Sequence, residues 1–488
     1  MSNTLFSKTK SNLFFLTNII GLSLLTPILF TFITLGIAYT FPNFVLDSTF
    51  LTIFFLIACT LYNTFIIITI GLNRGQIRDG ENMGHFFSIL VPAHNEENVI
   101  DDTLSHLFQL DYPSELFEVI VINDGSADNT EYIVKNFQKN HQNLMLINIP
   151  QNNGGKGKSA ALNTAFADFL LTWRGIEIRP RHRWIIGVFD ADAFPDPDML
   201  KKVSFQFNDL NVGGVQTLVR IKNRNRSFLA KLQDIEFVSF SRVAQFARNI
   251  FKGSVALGGN GQFIRAISLD SVALKDQEEY WKEDALTEDL DIGIRLIIKN
   301  WENRYIDSCC VQQEGVESLR TMFYQRERWA WGHIQTLSRY VPRKRLWTSK
   351  TLLKTKLDTA LYLSYIMVPA FVLLCWIWSG LNVLGIIPIH NMFPNIFTLG
   401  ISFSFFPLLG FGLWKARDEY PVWQIIPLIL ITTVYTYHWI PCIASAIVKA
   451  LLKKPNWKKT PHFNNQNKLI KTPEPSPEII KPQETIAS

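Results

Sequence analysis

Residues 86–97 read Phe-Phe-Ser-Ile-Leu-Val-Pro-Ala-His-Asn-Glu-Glu, and residues 117–126 read Phe-Glu-Val-Ile-Val-Ile-Asn-Asp-Gly-Ser. Each is a short apolar run that ends abruptly in polar and acidic residues. Runs of this length, rich in β-branched and aromatic side chains, read as strands buried on both faces. Residues 144–149 and 184–189 repeat the pattern, and the latter run straight into Asp190-Ala191-Asp192. Helical patterns lie between them, at residues 99–110 and 159–171. The alternation predicts an α/β domain with a mostly parallel sheet covered by helices. In such sheets ligands bind beyond the carboxyl ends of the strands, and Glu96, Asp124, Asp190 and Asp192 fall at those ends.

Carboxylates gathered at neighbouring strand ends repel one another, so a cation or a cationic clamp is expected among them. Asp190 and Asp192, two apart in extended chain, point to the same side. Together they offer the hard oxygens that Mg²⁺ or Mn²⁺ shares with phosphate and water. A lone Asp-Gly is more often a tight turn and a lone Asp-x-Asp a solvated loop; the joint placement at strand ends carries the reading. The loop Gly154-Gly155-Lys156-Gly157-Lys158 brings backbone amides and an ammonium, that of Lys156, towards a phosphate. Its spacing is not that of a Walker loop, which argues against an ATPase.

Apolar runs crowd the two ends of the 488-residue chain. Residues 13–40 and 50–72 are each uncharged and long enough to cross a ~30 Å hydrocarbon core. Lys8 and Lys10 precede this pair while Arg74 and Arg78 follow it, placing both ends of the hairpin, and the domain after it, in the cytoplasm by the positive-inside rule. Residues 357–384, 392–414 and 423–448 are further apolar stretches. Five spans would strand the lysine-rich segment from Lys449 to Lys459 on the wrong side, so one stretch is expected to lie in the interface or fold back. The organisation expected is a transmembrane hairpin over 1–74, a cytoplasmic catalytic domain with interfacial helices over 75–340, a second membrane region over 341–453 and a disordered polar tail over 454–488. The net charge of +6 then belongs to a membrane-facing basic belt, as at Arg343-Lys344-Arg345, and not to a nucleic-acid site. The five cysteines, with no C-x-x-C among them, support neither a zinc site nor a disulfide framework.

Asp124 in Asn-Asp-Gly-Ser, Asp190 and Asp192 in Asp-Ala-Asp, Thr287-Glu288-Asp289, and Gln325-Arg326-Glu327-Arg328-Trp329 follow one another in this order. With them the chain resembles the family 2 glycosyltransferases of the cellulose synthase-like, membrane-embedded type. The likeness covers roughly residues 84–340, the flanking apolar segments and Trp457-Lys458-Lys459-Thr460. It implies a GT-A-like domain inserted between membrane helices. It further implies that Glu96 and Asp124 hold the uridine of a UDP-sugar, Asp190 touches the donor, and Asp192 binds the metal. Asp289 would be the general base, Gln325 and Arg328 would grip the diphosphate, and Gly259, Asn260 and Trp329 would border the acceptor. Asp289 stands among Glu283, Asp284, Glu288 and Asp291, a crowding that favours a raised pKa if the group is buried. One helix over 318–340 would set Gln325, Arg328 and Trp329 on a shared face.

The resemblance leaves two acceptors open. Gln-x-x-Arg-Trp is typical of processive synthases that extend a β-linked polysaccharide from UDP-glucose, with or without an export partner, and this is the first expectation. Gly259-Asn260-Gly261-Gln262-Phe263-Ile264-Arg265 and Gln313-Glu314-Gly315-Val316 look like the bacterial monoglucosyldiacylglycerol synthases, which transfer one glucose to a lipid. A non-catalytic membrane scaffold or transporter is the remote third reading, disfavoured because the apolar segments hold almost no ionisable residues. A plasma-membrane location follows from either enzyme reading.

Overall fold

The computed structural model describes residues 60–70, 80–166, 180–274, 279–370 and 406–452, with a few isolated positions besides. The expected first span over 13–40 and the polar tail over 454–488 lie outside the described residues, and the expected spans over 50–72, 357–384 and 392–414 are described only in part.

Eight strands form one sheet in the order β3-β2-β1-β4-β7-β6-β8-β5. They are β1 (Phe86–Ala93), β2 (Phe117–Asp124), β3 (Leu144–Ile149), β4 (Trp184–Val188), β5 (Phe194–Pro195), β6 (Val212–Ile221), β7 (Gln262–Arg265) and β8 (Glu302–Gln313). The β1–β2, β2–β3, β1–β4 and β6–β8 pairings are parallel, as expected. The short strands β7 and β5 run against their neighbours and make the sheet mixed. Side chains alternate between two apolar layers. Phe87, Ile89 and Val91 of β1 pack with Ile100 and Leu104 on one face, while Leu90, Ile120 and Ile122 pack with Leu162 and Phe166 on the other. Burial on both faces is the physical reason these strands read as mainly apolar runs, the buried Ser88 of β1 and Glu118 of β2 being hydrogen-bonded to each other.

Two helical segments stand beside this sheet. One is the segment Phe228–Ser239 continued by Phe240–Gln245 and Phe246–Ile250; the other is the long helix Leu319–Tyr340. Against them lie the apolar helix Phe406–Lys415 and the helical run Val422–Leu452. Among the described residues only Val422–Leu452 is long and apolar enough to cross a membrane. The helix expected at 99–110 is shorter, Ile100–Leu107, and the one expected from 159 begins at Lys158.

Candidate active site

The carboxyl ends of β1, β2 and β4 open onto one cleft of about 720 Å³ lined by Glu96, Asp124, Asp190 and Asp192. The loop after β3 closes over β2 because Gly154 has no side chain: a Cβ there would stand 2.7 Å from the Gly125 Cα and 2.8 Å from the Asp124 carbonyl. Gly125 itself takes a left-handed conformation (φ +68°) that turns the chain out of the strand. The Gly155 N–H donates to Asp124 Oδ1 at 2.9 Å, and the His94 ring N–H donates to the Asp124 carbonyl at 2.6 Å. Asp124 and Glu96 are both buried.

The same loop places its two lysines differently. Lys156 is exposed and lies outside the cleft lining. Lys158 opens the helix Lys158–Asn163 and points inward, donating to Asp190 Oδ1 at 2.5 Å and to the Gly259 carbonyl at 2.6 Å, with Glu288 Oε1 at 3.9 Å. Burial alone would lower its pKa, but Asp190, Glu288 and Asp289 outweigh that and hold the ammonium above its ordinary value. Lys158 is therefore the positive group that the strand-end carboxylates require. A signal for it existed in the sequence: Lys158 shares a helix face with the buried Ala161 and Leu162.

Asp190 follows β4 in a tight turn, with the Ala193 N–H donating to its carbonyl at 3.1 Å. Its own N–H donates to Asn260 Oδ1 at 3.3 Å, which ties it to the Gly258–Gly259–Asn260–Gly261 loop. That loop is held by Gln216, which accepts from the Gly258 N–H at 2.7 Å and donates to the Asn260 carbonyl at 2.9 Å. Asn260 in turn donates to Gln313 at the end of β8 at 3.0 Å. Asp192 Oδ2 accepts from the Glu314 N–H at 3.1 Å. Among the described residues no third His, Cys, Asp or Glu joins Asp190 and Asp192 in a group able to cage an ion alone. Mg²⁺ bound together with a nucleotide needs only one or two protein carboxylates, and this pair at the cleft floor fits that kind of site.

Asp289 lies in the first turn of the helix Glu288–Ile298, directly across from Gly259. A Cβ on Gly259 would sit 3.2 Å from Lys158 Nζ and 3.3 Å from Asp289 Oδ2. Burial in the cleft wall and the neighbouring Glu288 push the Asp289 carboxyl up to about 7, while the Leu290 N–H, Lys158 and Arg328 restrain the rise. Of the other acidic neighbours, Asp291 and Asp284 are spent elsewhere: Arg295 and Arg339 hold the first, and Arg339 and Lys282 the second.

The long helix approaches this loop closely because residue 332 is glycine; a Cβ there would lie 2.6 Å from Thr287. Gln335 accepts from the Leu286 N–H at 3.2 Å and donates to the Asp284 carbonyl at 2.7 Å. Arg328 donates to the Leu286 carbonyl at 3.3 Å, and its buried Nε has no partner among the described residues. Gln325, Arg328 and Trp329 all line the cleft. Arg326 also lines the cleft, with its guanidinium 4.2 Å from the centre of the Trp329 ring, whereas Glu327 lies outside the lining. Arg326 pairs with Glu236 at 2.8 Å, and Glu236 also accepts from Tyr435 and Trp439, both at 2.9 Å. Glu327 accepts from Lys449 at 2.6 Å. The same cleft is lined by Tyr362 and Trp329, by the aliphatic Ile66, Ile366, Leu408 and Ile443, and by the charged Glu236, Arg248 and Arg326.

Residues 84–332 match the model of the family described as "Glycosyltransferase like family 2". The chain is 31% identical over 388 residues to the β-monoglucosyldiacylglycerol synthase of Trichormus variabilis, covering 77% of this chain and 76% of that one. It is 25% identical over 418 residues to the poly-β-1,6-N-acetyl-D-glucosamine synthase of Staphylococcus epidermidis, covering 83% and 93%. Its fold is similar to that of a mannosyltransferase from Pyrobaculum calidifontis solved with GDP-Man and Mn²⁺, at a TM-score of 0.51 and 17% identity over 83% of this chain and 100% of that one. The chain belongs to glycosyltransferase family 2. It is a hexosyltransferase built on a GT-A-like mixed sheet.

Proposed function

We propose that the protein transfers a single glucose, with inversion, from UDP-glucose to a hydroxyl of a diacylglycerol-type lipid. The observation that carries this reading is one cleft lined both by charged residues, among them Glu96, Asp124, Lys158, Asp190 and Asp289, and by the aliphatic Ile66, Ile366, Leu408, Ile440 and Ile443. A nucleotide-sugar suits the first set and acyl chains the second. The likeness to a lipid glucosyltransferase over three quarters of both chains supports the same choice.

In this reading Glu96 and Asp124 take the uracil and ribose, with the Gly155 amide holding the Asp124 carboxylate in place. Asp289 accepts the proton of the attacking lipid hydroxyl, which then bonds the anomeric carbon as the bond to the diphosphate breaks. One displacement inverts that carbon. A carboxylate with a pKa near 7 suits this work, because general base catalysis is most effective when base and medium are matched. Arg328, with Gln325 beside it, faces the charge that grows on the leaving diphosphate. A divalent cation held by Asp192, with Asp190 contacting the donor, would neutralise the same charge. Gly259 and Asn260 shape the floor under the acceptor, and Trp329 forms its side. Lys158 keeps Asp190 and the Gly259 carbonyl in register.

The test is to supply the detergent-solubilised protein with radiolabelled UDP-glucose, Mg²⁺ or Mn²⁺, and diacylglycerol. Label is expected in an organic-extractable product that requires the added lipid. Label in a high-molecular-weight product digestible by a β-glycanase would instead establish the polysaccharide reading that Gln-x-x-Arg-Trp suggests.

A further inference from the structure

The short helix Phe246–Ile250 presents to the cleft an arginine whose hydrogen bonding is incomplete. Arg248 is buried and lines the cleft. Its Nε donates to the Tyr62 hydroxyl at 3.0 Å, and that hydroxyl donates to Asp358 Oδ1 at 2.5 Å. Asp358 lies 3.8 Å from the same Nε, and its Oδ2 accepts from the Ser254 N–H at 2.5 Å and the Ser254 hydroxyl at 2.7 Å. The bonding stops at Nη1, which is buried and has no hydrogen-bond partner among the described residues. A buried donor with no acceptor is costly. A guanidinium pinned through Nε is thus set to offer Nη1 to a ligand.

Three contacts tie this donor to the reacting position. The guanidinium lies 4.2 Å from the centre of the Tyr362 ring, which also lines the cleft. Leu363, next to Tyr362, belongs to one buried cluster with Leu290 and Ala256, which stand within two residues of Asp289 and Gly258. Gln245, one turn before Arg248, accepts from the Ala256 N–H at 3.2 Å and donates to its carbonyl at 2.7 Å. Ile66 and Leu408 of the cleft lining pack with Phe246 and Ala247, so the surroundings of Arg248 are apolar.

Charges in this part of the cleft cancel in pairs, Arg248 with Asp358 and Arg326 with Glu236. His333 meets the Tyr362 ring edge-on at 5.3 Å; burial pushes its pKa down to about 4, so it is neutral at pH 7. A phosphate or carboxylate would arrive here as an uncompensated buried charge. An uncharged oxygen carries no such penalty and satisfies Nη1.

We infer that Arg248 recognises the acceptor, its Nη1 donating to an ester carbonyl of the diacylglycerol while the hydroxyl of that molecule faces Asp289. The inference rests on the lipid-acceptor reading and adds the group by which the lipid is chosen. An ester carbonyl lies a few bonds from the attacking hydroxyl. A glycerol bearing ether-linked chains keeps the hydroxyl and lacks the carbonyl.

The test compares dioleoylglycerol with its dialkyl ether counterpart, dioleylglycerol, as acceptors for the detergent-solubilised full chain supplied with radiolabelled UDP-glucose and Mg²⁺. The wild type is expected to favour the ester by about tenfold in kcat/KM. Arg248→Lys keeps a cation beside Tyr62 and Asp358 but lacks the planar fork, and should bring the two acceptors to within about twofold of each other. Equal use of both lipids by the wild type overturns the inference while leaving lipid transfer intact, and this comparison stands whether or not the variant folds. An Arg248→Lys enzyme that is slower on both lipids yet keeps the preference also overturns it, since a purely structural arginine would give that result. Label in a polysaccharide and in neither lipid would overturn the inference together with the reading beneath it.

Discussion

Replacing Lys158 by methionine keeps the length of the side chain and removes its charge, and its effect on the pH profile follows from the geometry. Lys158 Nζ and Asp289 Oδ2 both lie within 3.3 Å of the point where a Gly259 Cβ would stand, so they are less than about 7 Å apart. At an effective dielectric of about 20, unit charges at that separation attract by about 2.4 kcal/mol, equal to nearly two pKa units. Water in the open cleft reduces this to about one. Asp289 carries a pKa raised to about 7, with Lys158 among the groups that restrain the rise. Loss of the ammonium therefore moves the midpoint to about 8. The sign is fixed by the role: Asp289 must be ionised to accept a proton, so transfer rises with pH through the midpoint. The wild type should reach half its plateau near pH 7 and level by about pH 8. Lys158→Met should be about tenfold slower than its own plateau at pH 7 and recover that factor by pH 9. The assay is kcat/KM for the acceptor from pH 5.5 to 9.5 at saturating donor. A variant profile that keeps its midpoint near 7, displaced downward by a constant factor, would refute the coupling and leave Lys158 as a contact to the donor alone.

Asp289→Asn should lower the transfer rate by ~10²–10⁴ while leaving UDP affinity by calorimetry unchanged; near-normal transfer would remove Asp289 from the chemistry. Chelation by EDTA should abolish transfer, Mn²⁺ or Mg²⁺ should restore it, and Asp192→Asn should raise the metal concentration needed for half-maximal rate; insensitivity of the wild type to EDTA would dismiss the metal. Arg326→Leu strips the guanidinium from the buried Glu236 and should cost about 3 kcal/mol, read as a lowered Tm in detergent. Arg328→Leu should instead keep the Tm and lose turnover, and equal loss of Tm in both would show that the two arginines serve one purpose.

Much of the donor half of the site was legible because double burial writes itself into sequence. Strands β1, β2 and β4 are mainly apolar and almost wholly buried, and the polar residues at or just past their ends, His94, Asp124 and Asp190, reach the cleft. The second half of the sheet has no such signature. Strand β7 spans four residues, buries Gln262 and Arg265, and pairs antiparallel on both sides, so neither period nor composition announces it. The choice between Lys156 and Lys158 is set by left-handed backbone at Gly155 (φ +73°) and Gly157 (φ +108°), which turns one lysine out and the other in. Hydropathy shows 422–452 as an apolar run but not its polar contacts, because Glu236 and Glu327, which receive Trp439 and Lys449, stand on other elements more than a hundred residues away in the chain.

In the proposed reading the cleft is a single room for two guests. At about 720 Å³ it falls within the range of one ordinary ligand pocket, and the nucleotide-sugar and the lipid would share it. A compound that joins a uridine diphosphate mimic to an alkyl chain across the Asp289 position would fill both halves at once. Its two ends would hold each other in place, giving an effective concentration that neither fragment enjoys alone. Such a bisubstrate ligand would also act as a ruler, since the tether length giving tightest binding reports the distance from diphosphate to acyl chain at the moment of transfer.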